Sequence, residues 1–186
     1  MVQVFFLDTN VILDYLEGRN EEVRAIVERL INLHKNGRVV LATSILNIAE
    51  SIYNELDLHF GKWGLGQKFA FDEIRKKRKN WDLFADVAKD NNVMEKIQAF
   101  AYKNGVALFS VPPEVEECDR LYELIFRHQL ESQDALIVAA ALTNNATYFL
   151  SDDSTLIKKT SDILYGYDLQ NEQSRNAFLR DVLEAI

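Results

Sequence analysis

Residues 2–18 read VQVFFLDTNVILDYLEG, and this stretch decides the class of fold. A short apolar run ends at the polar triplet DTN (residues 8–10), after which apolar side chains recur at helical spacing until Gly18. A short apolar run bounded by turn residues is typical of a buried strand, and the spacing that follows is typical of a helix. The stretch therefore predicts a strand, a tight turn and a helix.

The same alternation of strands and helices continues along the chain. Further strands are predicted at residues 38–42, 106–111 and 148–150, with residues 163–165 as a candidate fifth. Helices are predicted between the strands, and a last one is predicted from residue 173 to 186. Because such alternation implies a parallel sheet covered on both faces, we expect an α/β fold of three layers. It should have four or five parallel strands and form one domain over residues 1–186.

One segment interrupts this pattern. The sequence HFGKWGLG (residues 59–66) predicts a loosened chain, and a mostly helical stretch follows as far as Gly105. Residues 59–105 carry a net charge of +4, whereas residues 1–58 carry −4 and residues 106–186 carry −8. We interpret residues 59–105 as a basic, helical insertion.

The composition excludes several classes of protein. The 186 residues include a single cysteine, Cys118, so neither an intramolecular disulfide nor a zinc cluster of thiolates can form. The first residues lack the positive region of a signal peptide, and no apolar run reaches the roughly 18 residues of a membrane helix. We therefore expect a cytoplasmic protein. The total charge of −8 argues against a protein held on nucleic acid by a uniformly basic surface.

Acidic residues occur where the predicted strands meet the helices. Asp8 ends the first strand, Asp152 and Asp153 follow the fourth, Asp134 opens the preceding helix, and Glu50 lies two turns into the helix after the second strand. The functional crevice of an open parallel sheet lies beyond the carboxyl ends of its strands, so four segments could bring carboxylates to one rim. Each aspartate could instead be a helix cap, but capping does not explain Glu50.

Several carboxylates at one rim imply a bound cation. Their charges cannot be gathered within a few ångströms unless their pKa values rise or a cation neutralises them. Ligands that are all oxygens favour Mg²⁺ or Mn²⁺ over zinc. Such an ion can orient a water molecule, lower the pKa of that water and neutralise charge on a phosphate. The chemistry implied is hydrolysis of a phosphodiester.

Four motifs carry a family resemblance. In chain order they are LDTNVILDYL (residues 7–16), TSILNIAE (43–50), QDALIVAAAL (133–142) and YFLSDDSTL (148–156). Together they resemble the four acidic motifs of PIN-domain nucleases, and the resemblance covers the whole chain except the insertion. It implies a PIN-like fold and a ribonuclease that depends on Mg²⁺ or Mn²⁺.

The resemblance also implies which side chains form the site. The metal-binding and catalytic carboxylates would be Asp8, Glu50, Asp134 and Asp153, with Asp152 as an alternative fourth ligand. Polar residues that match supporting positions of the motifs are Thr9, Asn10 and Ser151. The family includes toxins neutralised by a small antitoxin protein as well as RNA-processing nucleases, and its members often form homodimers, so the resemblance leaves both settings and a dimer open.

A basic run within the insertion is a candidate for RNA contact. It consists of Arg75, Lys76, Lys77, Arg78 and Lys79. Aromatic side chains on which bases could stack lie close to it in sequence, at Trp63, Phe69, Phe71 and Trp81. The alternative interpretation is a solvated helix face, which is the usual place for such a run.

Two other functions are compatible with the sequence. A haloacid-dehalogenase-like phosphatase also begins with an apolar strand that ends in aspartate, but it normally has a second aspartate where this chain has Asn10. A non-catalytic relative could keep the fold and bind RNA or a protein instead. All four acidic positions are filled here, which favours a site that binds metal.

Overall fold

Five parallel strands form one sheet in the computed structural model, which describes residues 2–112 and 114–186. The strands are β1 (Gln3–Leu7), β2 (Val39–Ser44), β3 (Ala107–Phe109), β4 (Tyr148–Ser151) and β5 (Gly166–Asp168). Their spatial order is β3-β2-β1-β4-β5. The chain therefore builds outward from β1 on one side and then crosses over to build on the other, so the strand order reverses between β1 and β4. The predicted α/β class and parallel sheet are confirmed.

Helices connect the strands and cover both faces of the sheet. They are α1 (Thr9–Glu17), α2 (Glu21–Lys35), α3 (Ile45–Gly66), α4 (Phe71–Lys77), α5 (Trp81–Asp90), α6 (Val93–Gln98), α7 (Val115–Phe126), α8 (Ser132–Thr143), α9 (Ser154–Lys159) and α10 (Glu172–Phe178). Two π-helical turns, Ala99–Lys103 and Leu179–Leu183, extend α6 and α10. No helix in the described part of the chain combines the length and the hydropathy needed to cross a membrane.

The central strand β1 divides the core into two apolar clusters. Phe5 and Leu7 are fully buried in the cluster that includes α1, α2 and the C-terminal residues, whereas Phe6 is fully buried in the cluster that includes α8. This division follows from the two-residue alternation of a strand. In the second cluster, the alanines at 139–141 let α8 approach the sheet closely. Burying β1 on both faces explains why its sequence is almost continuously apolar.

The helix α3 is longer than the sequence suggested. The prediction of a loosened chain at residues 59–66 was wrong, because α3 continues unbroken to Gly66. Phe60 and Gly64 are four residues apart on its buried face, and a Cβ atom at Gly64 would lie 2.6 Å from Cγ1 of Ile74. This glycine therefore makes room for the side chain of α4 and does not break the helix.

The last part of the chain also differs in detail. The candidate strand at residues 163–165 was wrong, because β5 lies at Gly166–Asp168 and the backbone N–H groups of Ile163 and Leu164 bond back to Thr160 at the end of α9. The C-terminal helix begins at Glu172, close to the predicted start. It changes to a π-helical turn over Leu179–Leu183, and the side chain of Leu183 is buried in the core.

Residues 59–105 form two regions with different packing. The first contains α4 and α5 and has an apolar cluster of its own, made of Phe60, Ile74, Phe84 and Val87. The second contains α6, and its Ile97 joins the main cluster beside β1. The second region is therefore part of the central core.

Candidate active site

Asp8 is held at the carboxyl end of β1 by contacts on two sides. It caps α1, and its Oδ1 accepts a hydrogen bond from the Thr9 N–H at 2.8 Å. Its Oδ2 accepts from the Ser151 hydroxyl at 2.5 Å, because β4 pairs with β1 and ends beside it. Asp8 is only 5% exposed. The carboxylate is therefore fixed in orientation at the point where the strand order reverses.

Glu50 reaches the same place through Thr9. The Thr9 hydroxyl lies 2.5 Å from Glu50 Oε2, to which it donates, and 3.3 Å from Asn47 Oδ1. The Asn47 amide in turn donates to the Leu7 carbonyl at 2.9 Å and to the Thr43 hydroxyl at 3.1 Å. These contacts fasten the first turns of α3 to the end of β1.

Asn47 was missed by the sequence reasoning. A polar residue in the first turn of a helix is ordinarily expected to face solvent, and no motif assigned it a role. In the structure it is completely buried between α3 and β1. The available signal was its place within TSILNIAE, three residues before Glu50.

Asp152 and Asp153 point to different surroundings. Asp153 caps α9, accepts from the N–H groups of its first turn, and donates its own N–H to the Ser151 hydroxyl at 3.0 Å. Asp152 instead accepts from the Gln170 amide at 3.2 Å, and the same amide donates to Asp14 at 2.8 Å. Burial raises the pKa of Asp152 to about 7, and the nearby Asp14 carboxylate contributes. Of the two candidates for the fourth position, Asp153 is the one bonded to Ser151, the partner of Asp8.

The four motif carboxylates influence one another electrostatically. Burial raises the pKa of Asp8 to about 6, and the negative charges of Glu50 and Asp134 add to this, although the hydrogen bonds from Ser151 and Thr9 act in the opposite direction. Burial also raises the pKa of Asp134, followed by the charges of Asp153, Glu131 and Glu50. Such mutual shifts are expected when carboxylates are gathered without a compensating cation.

The donor set fits a hard divalent cation, although the carboxylates are spread more widely than the ligands of a single ion. Within residues 2–112 and 114–186, three potential ligand atoms come within 4.8 Å of one another only at Glu17, Glu55 and His59. The motif carboxylates do not form so tight a group. The motif carboxylates offer oxygen atoms alone, which suits Mg²⁺ or Mn²⁺. The raised pKa values of Asp8 and Asp134 indicate that positive charge would be stabilising there.

Comparison with known proteins identifies the family. A family model described as the PIN domain matches residues 5–162. The chain belongs to the PIN domain family. The resemblance seen in the four motifs is thereby confirmed. A search of curated proteins found no match.

Two solved structures have a similar fold. One is VapBC2 from Rickettsia felis, in a complex with a DNA fragment from the VapBC2 promoter. It is 17% identical to this chain with a TM-score of 0.52, and the match covers 88% of this chain and 97% of that one. VapBC-1 from nontypeable Haemophilus influenzae is also 17% identical with a TM-score of 0.54, over 91% of this chain and 100% of that one. At this identity, the likeness shows the fold alone.

The remaining predicted site residues of this PIN domain lie at the surface. Asn10 is exposed at the start of α1. In the basic run, Arg78 pairs with Asp57 of α3 at 2.9 Å, and the Lys77 ammonium lies 4.6 Å from the ring centre of Phe69, between α3 and α4. The other members of the run, Arg75, Lys76 and Lys79, are exposed.

The aromatic residues near the basic run also divide into packed side chains and exposed ones. Trp63 and Phe69 pack against each other, with ring centroids 5.8 Å apart. Phe71 is 80% exposed and Trp81 is 70% exposed. Two large aromatic side chains of this PIN domain are therefore exposed to a ligand. The three exposed cations of the basic run lie near them in sequence.

Proposed function

We propose that this PIN domain is a metal-dependent ribonuclease that hydrolyses RNA phosphodiester bonds at the rim formed by Asp8, Glu50, Asp134 and Asp153. The observation that carries the proposal is the buried Asp8 carboxyl. Its pKa is raised to about 6 beside Glu50 and Asp134 even though two hydrogen bonds favour its charged form. Perturbed carboxylates in the crevice of a parallel sheet are typical of a functional site. Membership of the PIN family supports a nuclease.

The proposed cofactor is Mg²⁺ or Mn²⁺, held by these carboxylates. When bound, the ion would lower the pKa of a water molecule and neutralise charge that develops on the phosphate. Asp153 is the proposed fourth ligand in preference to Asp152, because Ser151 binds both Asp8 and the Asp153 backbone. Its carboxylate is exposed at the start of α9, where a ligand can reach it.

Thr9 and Ser151 are proposed as positioning residues. Ser151 holds Asp8 Oδ2, and Thr9 holds Glu50 Oε2, so each hydroxyl fixes one carboxylate in a single orientation. A carboxylate oxygen has two lone pairs, so each bonded oxygen keeps one for another ligand. Fixed ligands do not have to reorganise when charge develops on the substrate. Asn10 remains a prediction, since its exposed side chain is placed near the rim only by its position in the motif.

Cleavage of a mixed pool of single-stranded and structured RNA tests this proposal. With Mn²⁺ or Mg²⁺ we expect cleavage by the wild type, and with EDTA we expect none. Asp134→Asn should lose at least about 100-fold in rate, because it removes a charged ligand from the rim. Asp119→Asn, on the exposed face of α7, is the matched control and should cleave like the wild type. Equal rates for Asp134→Asn and the wild type would contradict the proposal.

We further propose that residues 59–105 are a helical addition whose second region joins the central core, and that the exposed basic side chains of its first region contact RNA. Replacing Arg75, Lys76 and Lys79 together by Ala should weaken RNA binding and reduce the slope of log K against log salt by about 2, because each phosphate that a cation neutralises on a single strand adds roughly 0.7 to that slope. Measuring the binding constant at several salt concentrations gives this slope.

A control that removes the same charge makes the result specific to this segment. Lys35, Arg38 and Arg127 are exposed elsewhere on the chain, and replacing them together by Ala should leave the slope nearly unchanged. If the two triple variants have the same slope, the insertion is not part of the RNA surface.

The proposed setting is that of a toxin with a small antitoxin protein as partner. The similar solved structures are of VapBC proteins, which supports such a partner. A homodimer is the assembly that the family resemblance implies. The RNA-processing setting stays open beside it.

A further inference from the structure

A second group of ligand-type side chains lies between α1, α3 and α6. Glu17 is the last residue of α1, and Glu55 and His59 lie one turn apart on α3. His59 Nε2 is 3.5 Å from Glu55 Oε2 and 3.8 Å from Glu17 Oε1. These residues lie outside the four acidic motifs, and α3 carries Glu55 more than a turn beyond Glu50.

Glu55 is buried without a hydrogen-bond partner. The residue is 0% exposed, and neither of its side-chain oxygens accepts a hydrogen bond. Burial raises the pKa of Glu55 to about 7, and the neighbouring Glu17 carboxylate adds to the increase. A buried carboxylate in this state is costly, because it has lost its water without gaining donors. The fold therefore retains a buried carboxyl group that lacks a hydrogen-bond partner and lies close to Glu17 and His59.

A side-chain cation already lies against the group. The Lys96 ammonium lies 2.7 Å from Glu17 Oε1, 3.6 Å from Glu55 Oε2 and 3.4 Å from His59 Nε2. An ammonium can only donate, so in a hydrogen bond between these two groups the lone pair of His59 Nε2 is the acceptor. Lys96 is 35% exposed and lines an open cavity of about 570 Å³ with Glu17. Its flexible side chain can therefore move away into the cavity, and an ion can approach the group from the side of Glu17.

We propose that Glu17, Glu55 and His59 bind a divalent transition-metal ion of the Zn²⁺ type between their three ligand atoms, next to the place that the Lys96 ammonium leaves. Tetrahedral bonds of about 2.0–2.1 Å place ligand atoms roughly 3.3–3.4 Å apart. The separations of 3.5 Å and 3.8 Å at His59 Nε2 are close to that value. One imidazole with two carboxylates suits Zn²⁺ better than Mg²⁺. The ion would link the end of α1 to the middle of α3.

Zn²⁺ titration monitored by NMR of the imidazole rings tests this site in the full chain. The protein has three histidines, and the ring nitrogens of His34 and His128 already contact backbone carbonyls, at 2.8 Å and 3.0 Å for one nitrogen of each. We expect Zn²⁺ to shift the His59 signals and leave the other two in place. The carboxylate rim of the proposed nuclease contains no histidine, so this readout is independent of that proposal.

Two variants separate a metal site from a simple ion pair. Lys96→Met keeps the aliphatic stem and removes the competing ammonium, so Zn²⁺ should bind at least about tenfold more tightly than to the wild type. His59→Gln should abolish this binding, as measured by calorimetry. Failure of Zn²⁺ to shift His59 in both the wild type and Lys96→Met, or equal affinity in Lys96→Met and His59→Gln, would overturn the proposal.

Discussion

Replacing Asp8 by Asn is expected to stabilise the metal-free protein at about pH 7.5 and to abolish RNA cleavage. Asp8 is 5% exposed, and burial raises its pKa from 3.8 to about 6. Because the folded state holds the proton more tightly than the unfolded state, the stability that this group contributes falls as the pH rises from about 4 to above 6. A shift of roughly two pKa units corresponds to a destabilisation of about 3 kcal/mol at neutral pH. The side chain of Asn is neutral, so the variant should not carry this destabilisation.

The same variant should also lose its response to metal. Mn²⁺ should raise the melting temperature of the wild type at about pH 7.5, because it binds the folded state, but it should have little effect on Asp8→Asn. Asp119→Asn should behave like the wild type in both measurements, since it is exposed. A metal-free Asp8→Asn that is clearly less stable than the wild type would mean that Asp8 is a structural helix cap and that its charge is not held at a cost.

Replacing Phe178 by Ala is expected to destabilise the fold by about 3–5 kcal/mol, the usual effect of truncating a buried aromatic residue. Phe178 lies in α10, outside the residues matched by the PIN family model, yet it is fully buried. Its ring packs edge-on against Phe5 of the central strand, with centroids 6.0 Å apart, and against Tyr167 of β5 at 5.1 Å. The C-terminal residues should therefore be part of the cooperative unit.

Urea denaturation followed by circular dichroism measures this effect. Phe126→Ala, which removes the same side chain from a position that is 66% exposed, should change the stability by no more than about 0.5 kcal/mol. A similarly small change for Phe178→Ala would show that residues after the family match pack only loosely against the sheet.

The class of fold could be predicted because its signals are local and strong. The apolar run of β1 is buried on both faces, so it has no polar alternation to confuse it with an exposed strand, and it ends sharply at Asp8. The helix α2 was equally clear, since Asn20 caps it and its apolar residues follow a helical period. These features depend on neighbours in sequence, which a single chain displays.

Other features depend on contacts that sequence does not display. Three glycines within residues 59–66 suggested a loosened chain, but Gly64 lies inside α3 and its lack of a side chain makes room for Ile74. Asp152 and Asp153 are adjacent in sequence, but Asp152 contacts Gln170 and Asp153 bonds to Ser151, and the contact with Gln170 joins distant parts of the chain. Asn47 was missed for the same reason, since its partners Leu7 and Thr9 lie far from it in sequence.

The source of the oxygen in the cleavage product tests the central proposal most directly. RNA should be cleaved with Mn²⁺ in water enriched in heavy oxygen, and the new phosphate ends analysed by mass spectrometry. If the carboxylate rim of Asp8, Glu50, Asp134 and Asp153 supports attack by water, each linear phosphate end should carry one solvent oxygen. Cyclic phosphate ends without the label, or no cleavage with either Mn²⁺ or Mg²⁺, would contradict this account.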